Sequence, residues 1–169
     1  MKIDLTTPKN SNFEATGKDL KDVMFKILGN ENLLKLLKYT TPDSLTKTNL
    51  TPEEKAGMIN SHIKVVPKLP TPEDVGSYII ILFDTFTTNS NNPVYRDNVI
   101  MFDVICHTDT WVMDDYMLRP YKIMDQIDRM FNNTKLNGIG KVEFVAANSL
   151  ILTSELAGFT MMYKVINDI

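Results

Sequence analysis

Two pairs of strand-like stretches, residues 77–86 with 99–108 and 141–153 with 159–166, enclose one stretch whose apolar residues recur at helical spacing. The order strand, strand, helix, strand, strand admits few packings. Two hairpins can share one antiparallel sheet, and the helix between them can close one of its faces. The expected fold is therefore α+β: an antiparallel sheet of two hairpins, a β-β-α-β-β core, with N-terminal helices packed on one face.

The first strand is apolar on both alternating sets, Ile79, Ile81 and Phe83 on one side and Tyr78, Ile80, Leu82 and Phe86 on the other, which implies cover on both faces. The second strand is not. It carries Ile100, Phe102, Val104 and Cys106 on one side, against Val99, Met101, Asp103, Ile105 and His107. That mixed side is apolar enough to contact something and polar enough to meet water, the character of a partner surface.

A chain of 169 residues fits one domain. Residues 1–17 have the composition of a flexible N-terminal arm, and 18–39 read as a helical hairpin, with Leu20, Val23, Met24, Ile27 and Leu28 on one stripe. Residues 40–76 are loop-rich. They include one short helix opened by Thr51 and Pro52, a short extended segment at 62–66, and a proline-bearing lead at Pro67, Pro70 and Pro72. The core spans 77–169. Within it, residues 87–98 read as a protruding loop, Pro120 opens the helix carrying Ile123, Met124, Ile127, Met130 and Phe131, and the last hairpin turns at 155–158.

Composition narrows the function. An apolar fraction of 43% with 23% charged residues is that of a folding, water-soluble chain. The net charge of −3 comes from 18 basic and 21 acidic residues interspersed along the sequence, so no basic face is available to hold phosphate backbones. The longest apolar run, residues 78–83, is too short to cross a bilayer, and residues 1–12 lack the apolar segment of an export signal. Cys106 has no cysteine partner and reads as core filling.

Signatures of catalysis are missing. The seven glycines form no phosphate-binding motif. His107 follows Cys106 directly and so points to the other side of the strand, out of reach as its base. Asp103, His107, Asp109, Asp114 and Asp115 offer metal-ligating groups in a short span, but their spacing matches no metal motif, and loop and cap chemistry explains them better. No catalytic residue, cofactor or metal is expected. Met24, Met124, Met130 and Met161 fall on core stripes, while Met101, Met113, Met117 and Met162 are harder to bury and are candidate contact residues. Trp111 reads equally as a lid over its own core or as an interface anchor.

The helix at 20–28, the proline-flanked segment 64–72, the strand 78–83 and the run Asn98-Val-Ile-Met-Phe-Asp-Val-Ile-Cys-His107, followed by a helix and the closing Phe159-Thr-Met-Met-Tyr-Lys-Val-Ile166, resemble the tail terminator, or tail-completion, family of long-tailed bacteriophages. The resemblance covers nearly the whole chain and lies in architecture. It implies a non-enzymatic virion protein of the neck, assembled in the host cytoplasm as a homo-oligomeric ring, typically a hexamer. Such a ring caps the tail tube protein and joins it to the head-completion or connector protein, with DNA passing through unbound and no membrane involved. Residues 40–63 and 87–98 are longer than in a compact member, which leaves another neck, collar or head-completion component as the alternative. The expected partner or oligomer interface comprises Asn91, Tyr95, Arg96, Met101, Asp103, Ile105, Trp111, Met113 and Met162. Two competing readings are a small metal-dependent hydrolase or nuclease built on Asp103, His107 and Asp109, and a monomeric adaptor.

Overall fold

A computed structural model of the chain describes residues 13–88, 96–136 and 140–166. The fold is mixed α+β, with four α-helices and a curled sheet of six strands among the described residues. Helix α1, Phe13–Leu28, begins earlier than expected, so residues 13–17 belong to it and not to an arm. Residues 1–12 of the expected arm lie outside the described residues. Asn30 starts the next helix. Its Oδ1 accepts from Leu33 N–H at 3.1 Å and caps α2, Glu31–Lys38, whose Leu33, Leu34, Leu36 and Leu37 are all buried. Burying four leucines is worth roughly 1.5–3 kcal/mol each, enough to hold so short a helix by packing alone.

Helix α3, Pro52–Met58, has proline in its first turn and a complete capping box: Thr51 Oγ1 accepts from Glu54 N–H, and Glu54 Oε2 accepts from Thr51 N–H. Ion pairs Lys38–Glu54 and Lys55–Glu31, each at 2.6 Å, tie α3 to α2. None of the helices among the described residues is long and apolar enough to cross a membrane.

The strands are β1 (Ile63–Lys64), β2 (Ser77–Thr88), β3 (Arg96–His107), β4 (Thr134–Leu136), β5 (Gly140–Ile151) and β6 (Leu156–Ile166), and their order across the sheet is β1-β2-β3-β6-β5-β4. β1 runs parallel to β2 and every other pairing is antiparallel. The sheet thus has two border strands beyond the four that alternation marks. Three boundaries are corrected. Thr87, Thr88, Arg96, Asp97 and Asn98 belong to strands, not to a protruding loop, because the β2–β3 ladder continues as far as Thr88 and Arg96. Residues 89–95, which include Asn91 and Tyr95, lie outside the described residues, as do 137–139. Leu156, Ala157 and Gly158 pair within the ladder, so the last turn lies before Leu156.

Helix α4, Arg119–Phe131, carries Pro120 in its first turn and lies with α1 and α2 over one face of the sheet. That inner face presents Ile79 and Ile81 from β2, Ile100, Phe102 and Val104 from β3, and Met161, Tyr163 and Val165 from β6, all buried. Phe102 packs against Phe131 with the rings tilted by 33° and 5.0 Å between ring centres, and meets Tyr163 edge-on at 5.7 Å. β6 crosses β3 so closely at Gly158 that a Cβ there would lie 1.8 Å from the Val104 carbonyl oxygen.

The helical layer is locked by Arg119, which is fully buried. Its Nε donates to Thr110 O at 2.7 Å, Nη1 to Leu36 O at 2.9 Å and Tyr39 O at 2.7 Å, and Nη2 to Thr40 O at 3.1 Å and Thr41 O at 2.7 Å. The acceptors include carbonyls at the C-terminal end of α2, where the helix dipole is negative, so the cation is held without a carboxylate.

Candidate functional site

The outer face of the sheet, turned away from the helices, carries four of the sequence-derived candidates, Met101, Asp103, Ile105 and Met162. Register sorts its residues into rows across four strands. Tyr78, Ile105, Gly158 and Leu150 form one row, Ile80, Asp103, Thr160 and Asn148 the next, and Leu82, Met101, Met162 and Ala146 the third. Met101 and Met162 thus stand side by side, both partly exposed. Asp103, one row away, is half-buried and accepts from Thr160 Oγ1 at 2.5 Å. Burial raises its pKa above the ordinary carboxylate value; the Thr160 bond opposes that, and the Asp84 charge adds to it.

Ile105 departs from expectation. It is 0% exposed, enclosed by Tyr78, Ile80 and Leu156 with Leu82, Leu150 and Leu152 against them. The cause is Gly158 opposite it: a position with no side chain lets the flanking leucines close over the gap. At the same end the Lys64 ammonium lies 5.0 Å from the centre of the Tyr78 ring, and the His62 imidazole stacks on that ring at 5.4 Å. The outer face is therefore sealed by the chain itself at one end and open along the Met101 row.

Of the acidic and imidazole groups of the metal hypothesis, only His107 and Asp109 come close to each other. Asp103 bonds to Thr160, and Asp115 pairs with Lys122 at 2.5 Å. His107 is buried, with Nδ1 accepting from Asp109 N–H at 3.3 Å and lying 3.6 Å from the largely exposed Asp109 carboxylate. Among the described residues, no group of three or more His, Cys, Asp or Glu side chains is placed to hold a metal ion. Cys106 sits on the inner side of β3, and burial pushes its thiol up to about 12.

Trp111 packs against the main core, and its Nε1 donates to Cys106 O at 3.3 Å, so it lies as a lid over its own chain. Met113 is corrected from contact residue to core residue, at 2% exposure. The segment reverses on itself through Met113 N–H to Met117 O and Tyr116 N–H to Met113 O, with Tyr116 at φ 60. That reversal turns Met113 inward and leaves Val112, Tyr116 and Met117 outside. Arg96 has its backbone in β3, and its side chain lies outside the described set.

Sequence reading missed a groove of about 280 Å³ between α4 and β5. Met124, Phe144, Ala147 and Met161 supply its apolar surface, and Asp125, Asp128 and Asn132 its polar side. Asp128 accepts from the Tyr163 hydroxyl at 3.0 Å; burial, and then that carboxylate, push the Tyr163 pKa well up. Only the meeting of a helix with a distant strand creates this groove, and no local pattern signals it.

No curated protein matches the chain. A protein-family model described as YomW matches residues 30–165, from the cap of α2 to within one residue of the end of β6. Its name is consistent with a phage origin. As the match spans well over half of the sequence, the chain belongs to the YomW family.

Proposed function

We propose that this chain is a structural, non-enzymatic subunit of a bacteriophage particle, a tail terminator-like protein whose copies form a ring, most simply a hexamer. The ring caps the tail tube and joins it to the head connector, so the protein ends in the neck of the virion after assembly in the host cytoplasm. One observation carries the reading: the row Leu82, Met101, Met162 crosses three central strands, is apolar, and is left partly exposed. A continuous apolar strip on a sheet otherwise edged by Asp103, Thr160 and Lys164 is a surface suited to burial in an assembly. The family's name, consistent with a phage origin, supports this reading. An acidic balance of charge without a basic stripe suits a channel through which DNA slides without sticking. The same features would serve another neck, collar or head-completion ring.

The test is light scattering combined with negative-stain imaging of the purified protein. Closed rings are expected, and Met101→Lys, whose long stem the fold tolerates but whose charge opposes burial, should release monomers. A protein that stays a single globule at high concentration, alone and with tail tubes, would sink the reading.

A further inference from the structure

Strand β5 is 12 residues long, but its outer neighbour β4 pairs only with Gly140, Lys141 and Val142. Two bonds fix which backbone groups beyond that point turn away from β6. Phe144 N–H donates outward, to Asn132 Oδ1 at 3.1 Å, whereas Leu152 N–H donates inward, to Leu156 O at 3.0 Å. The bulge between Phe144 and Ala146 shifts the alternation by one, so the outward set after it is Ala147, Ser149 and Ile151. All three are exposed, Ile151 at 79%, and no strand among the described residues pairs with them on that side. Residues 144–152 contain neither a charge nor a proline, the devices that keep a bare edge from taking up another strand.

The same stretch borders the groove between α4 and β5. Ala147 lies level with Met161 and Ser149 with Phe159, so the side chains of the outward set stand on the inner face, beside α4. From α4, Tyr121 meets Phe159 at 5.1 Å between ring centres, and Met124, Asp125 and Asp128 follow at helical spacing along the groove. Residues that face each other across a ladder share a face of the sheet. A strand laid on this edge therefore sends the side chain opposite Ala147 into the groove of about 280 Å³, and those two positions away along α4. In such an arrangement main-chain bonds supply affinity and the groove supplies selectivity.

Charge decides the occupant. Asp125 pairs with Arg129 at 2.8 Å, whereas Asp128 accepts from the Tyr163 hydroxyl at 3.0 Å and from Asn132 Nδ2 at 3.4 Å, with no cation paired to it among the described residues. A basic side chain on the incoming strand would meet that carboxylate. The β5 edge of a second copy carries none in residues 144–152, so self-pairing leaves the acidic wall unmatched. We propose that this edge and groove take up an extended segment of a partner protein, with an apolar side chain entering between Met124 and Ala147 and an arginine or lysine beside it facing Asp128. The site is separate from the Met101 row, which lies on the other face of the sheet, and it stands whether or not the copies form a ring.

The test uses the full chain and a blocked heptapeptide, Thr-Val-Thr-Arg-Thr-Val-Thr, which reads the same in both directions and sets valine and arginine on one face of a strand. In the chain alone the amides of Ala147, Ser149 and Ile151 should exchange freely, while Asn148 and Leu150, which face β6, are protected. The peptide should slow the first three at least about tenfold. Glutamate in place of its arginine should weaken binding at least about threefold, and Asp128→Asn, which keeps an acceptor for the Tyr163 hydroxyl, should erase that preference. Ser149→Pro removes one outward donor without touching the β5–β6 ladder, and Ala147→Phe fills the groove; each should abolish binding with melting unchanged. Met101→Lys should bind the peptide as the native chain does, so a failed ring leaves this test readable. Protection of the three amides in the chain alone overturns the proposal. Equal affinity for the two peptides, or undiminished binding by both Ser149→Pro and Ala147→Phe, overturns it as well.

Discussion

The two faces of one sheet are built from alternate residues of the same strands, yet they differ in what covers them. Phe102 and Met101 are neighbours on β3 and share its hydrogen-bond ladder. Phe102 disappears beneath α4 against Phe131 and Tyr163, whereas Met101 remains partly open beside Leu82 and Met162. The inner face carries the stability, since three helices seal it. The outer face is sealed only around Ile105, so its open part can change partners without unfolding the chain.

That division can be broken from the inside first. Phe102→Ala should cost about 3–5 kcal/mol in urea unfolding, through lost contacts and an unfilled cavity. Next comes Arg119→Met, expected to cost at least about 3 kcal/mol, because the carbonyls of Leu36, Tyr39, Thr40, Thr41 and Thr110 lose their donor in a buried place. Arg119→Lys should recover little, as one ammonium cannot reach both sides of that cage.

A pH titration then sharpens the comparison at the sealed end of the outer face. Burial is the main reason that the His62 pKa lies below its ordinary 6.5; the charges of Lys38 and Lys64 push the same way, and the bond to Ser77 O opposes them. Below pH 6.5 the unfolded chain takes up a proton that the folded chain resists, so stability should decline as the pH drops from 7.5 to 5.5. His62→Gln should flatten that decline; an unchanged slope would mean that other groups govern it. The smallest effect belongs to the open row. Met101→Ala should change monomer stability by less than about 1 kcal/mol, and a loss comparable to that of Phe102→Ala would show that the two faces are energetically alike.

Much of this division can be read from the sequence, and the reasons for the rest are physical. Strands β2 and β3 announce themselves because a period of two persists over many residues, and α2 and α4 because their apolar stripes repeat. Border strands β1 and β4 span two and three residues, too few for any period to show. The extent of the bare β5 edge follows from how short β4 is, so it was equally hidden. Met113 was misplaced because its burial depends on one left-handed residue, Tyr116, in an unremarkable loop. Arg119 sits where a helix usually meets water, and its cage of carbonyls is drawn from residues far away in the chain. Of the candidate surface, Met101, Asp103 and Met162 were found by alternation, whereas the closure over Ile105 depends on which residue β6 sets opposite it.

The near-contact at Gly158 has a consequence for how this sheet can go wrong. Sliding β6 past β3 by two residues would keep every side chain on its proper face, so oil-and-water patterning alone does not forbid it. Such a slip would bring Leu156 or Thr160 to the spot where Val104 leaves room for a hydrogen atom and nothing larger. A single missing methyl thereby acts as an index mark, giving the ladder one alignment and excluding its shifted imitations.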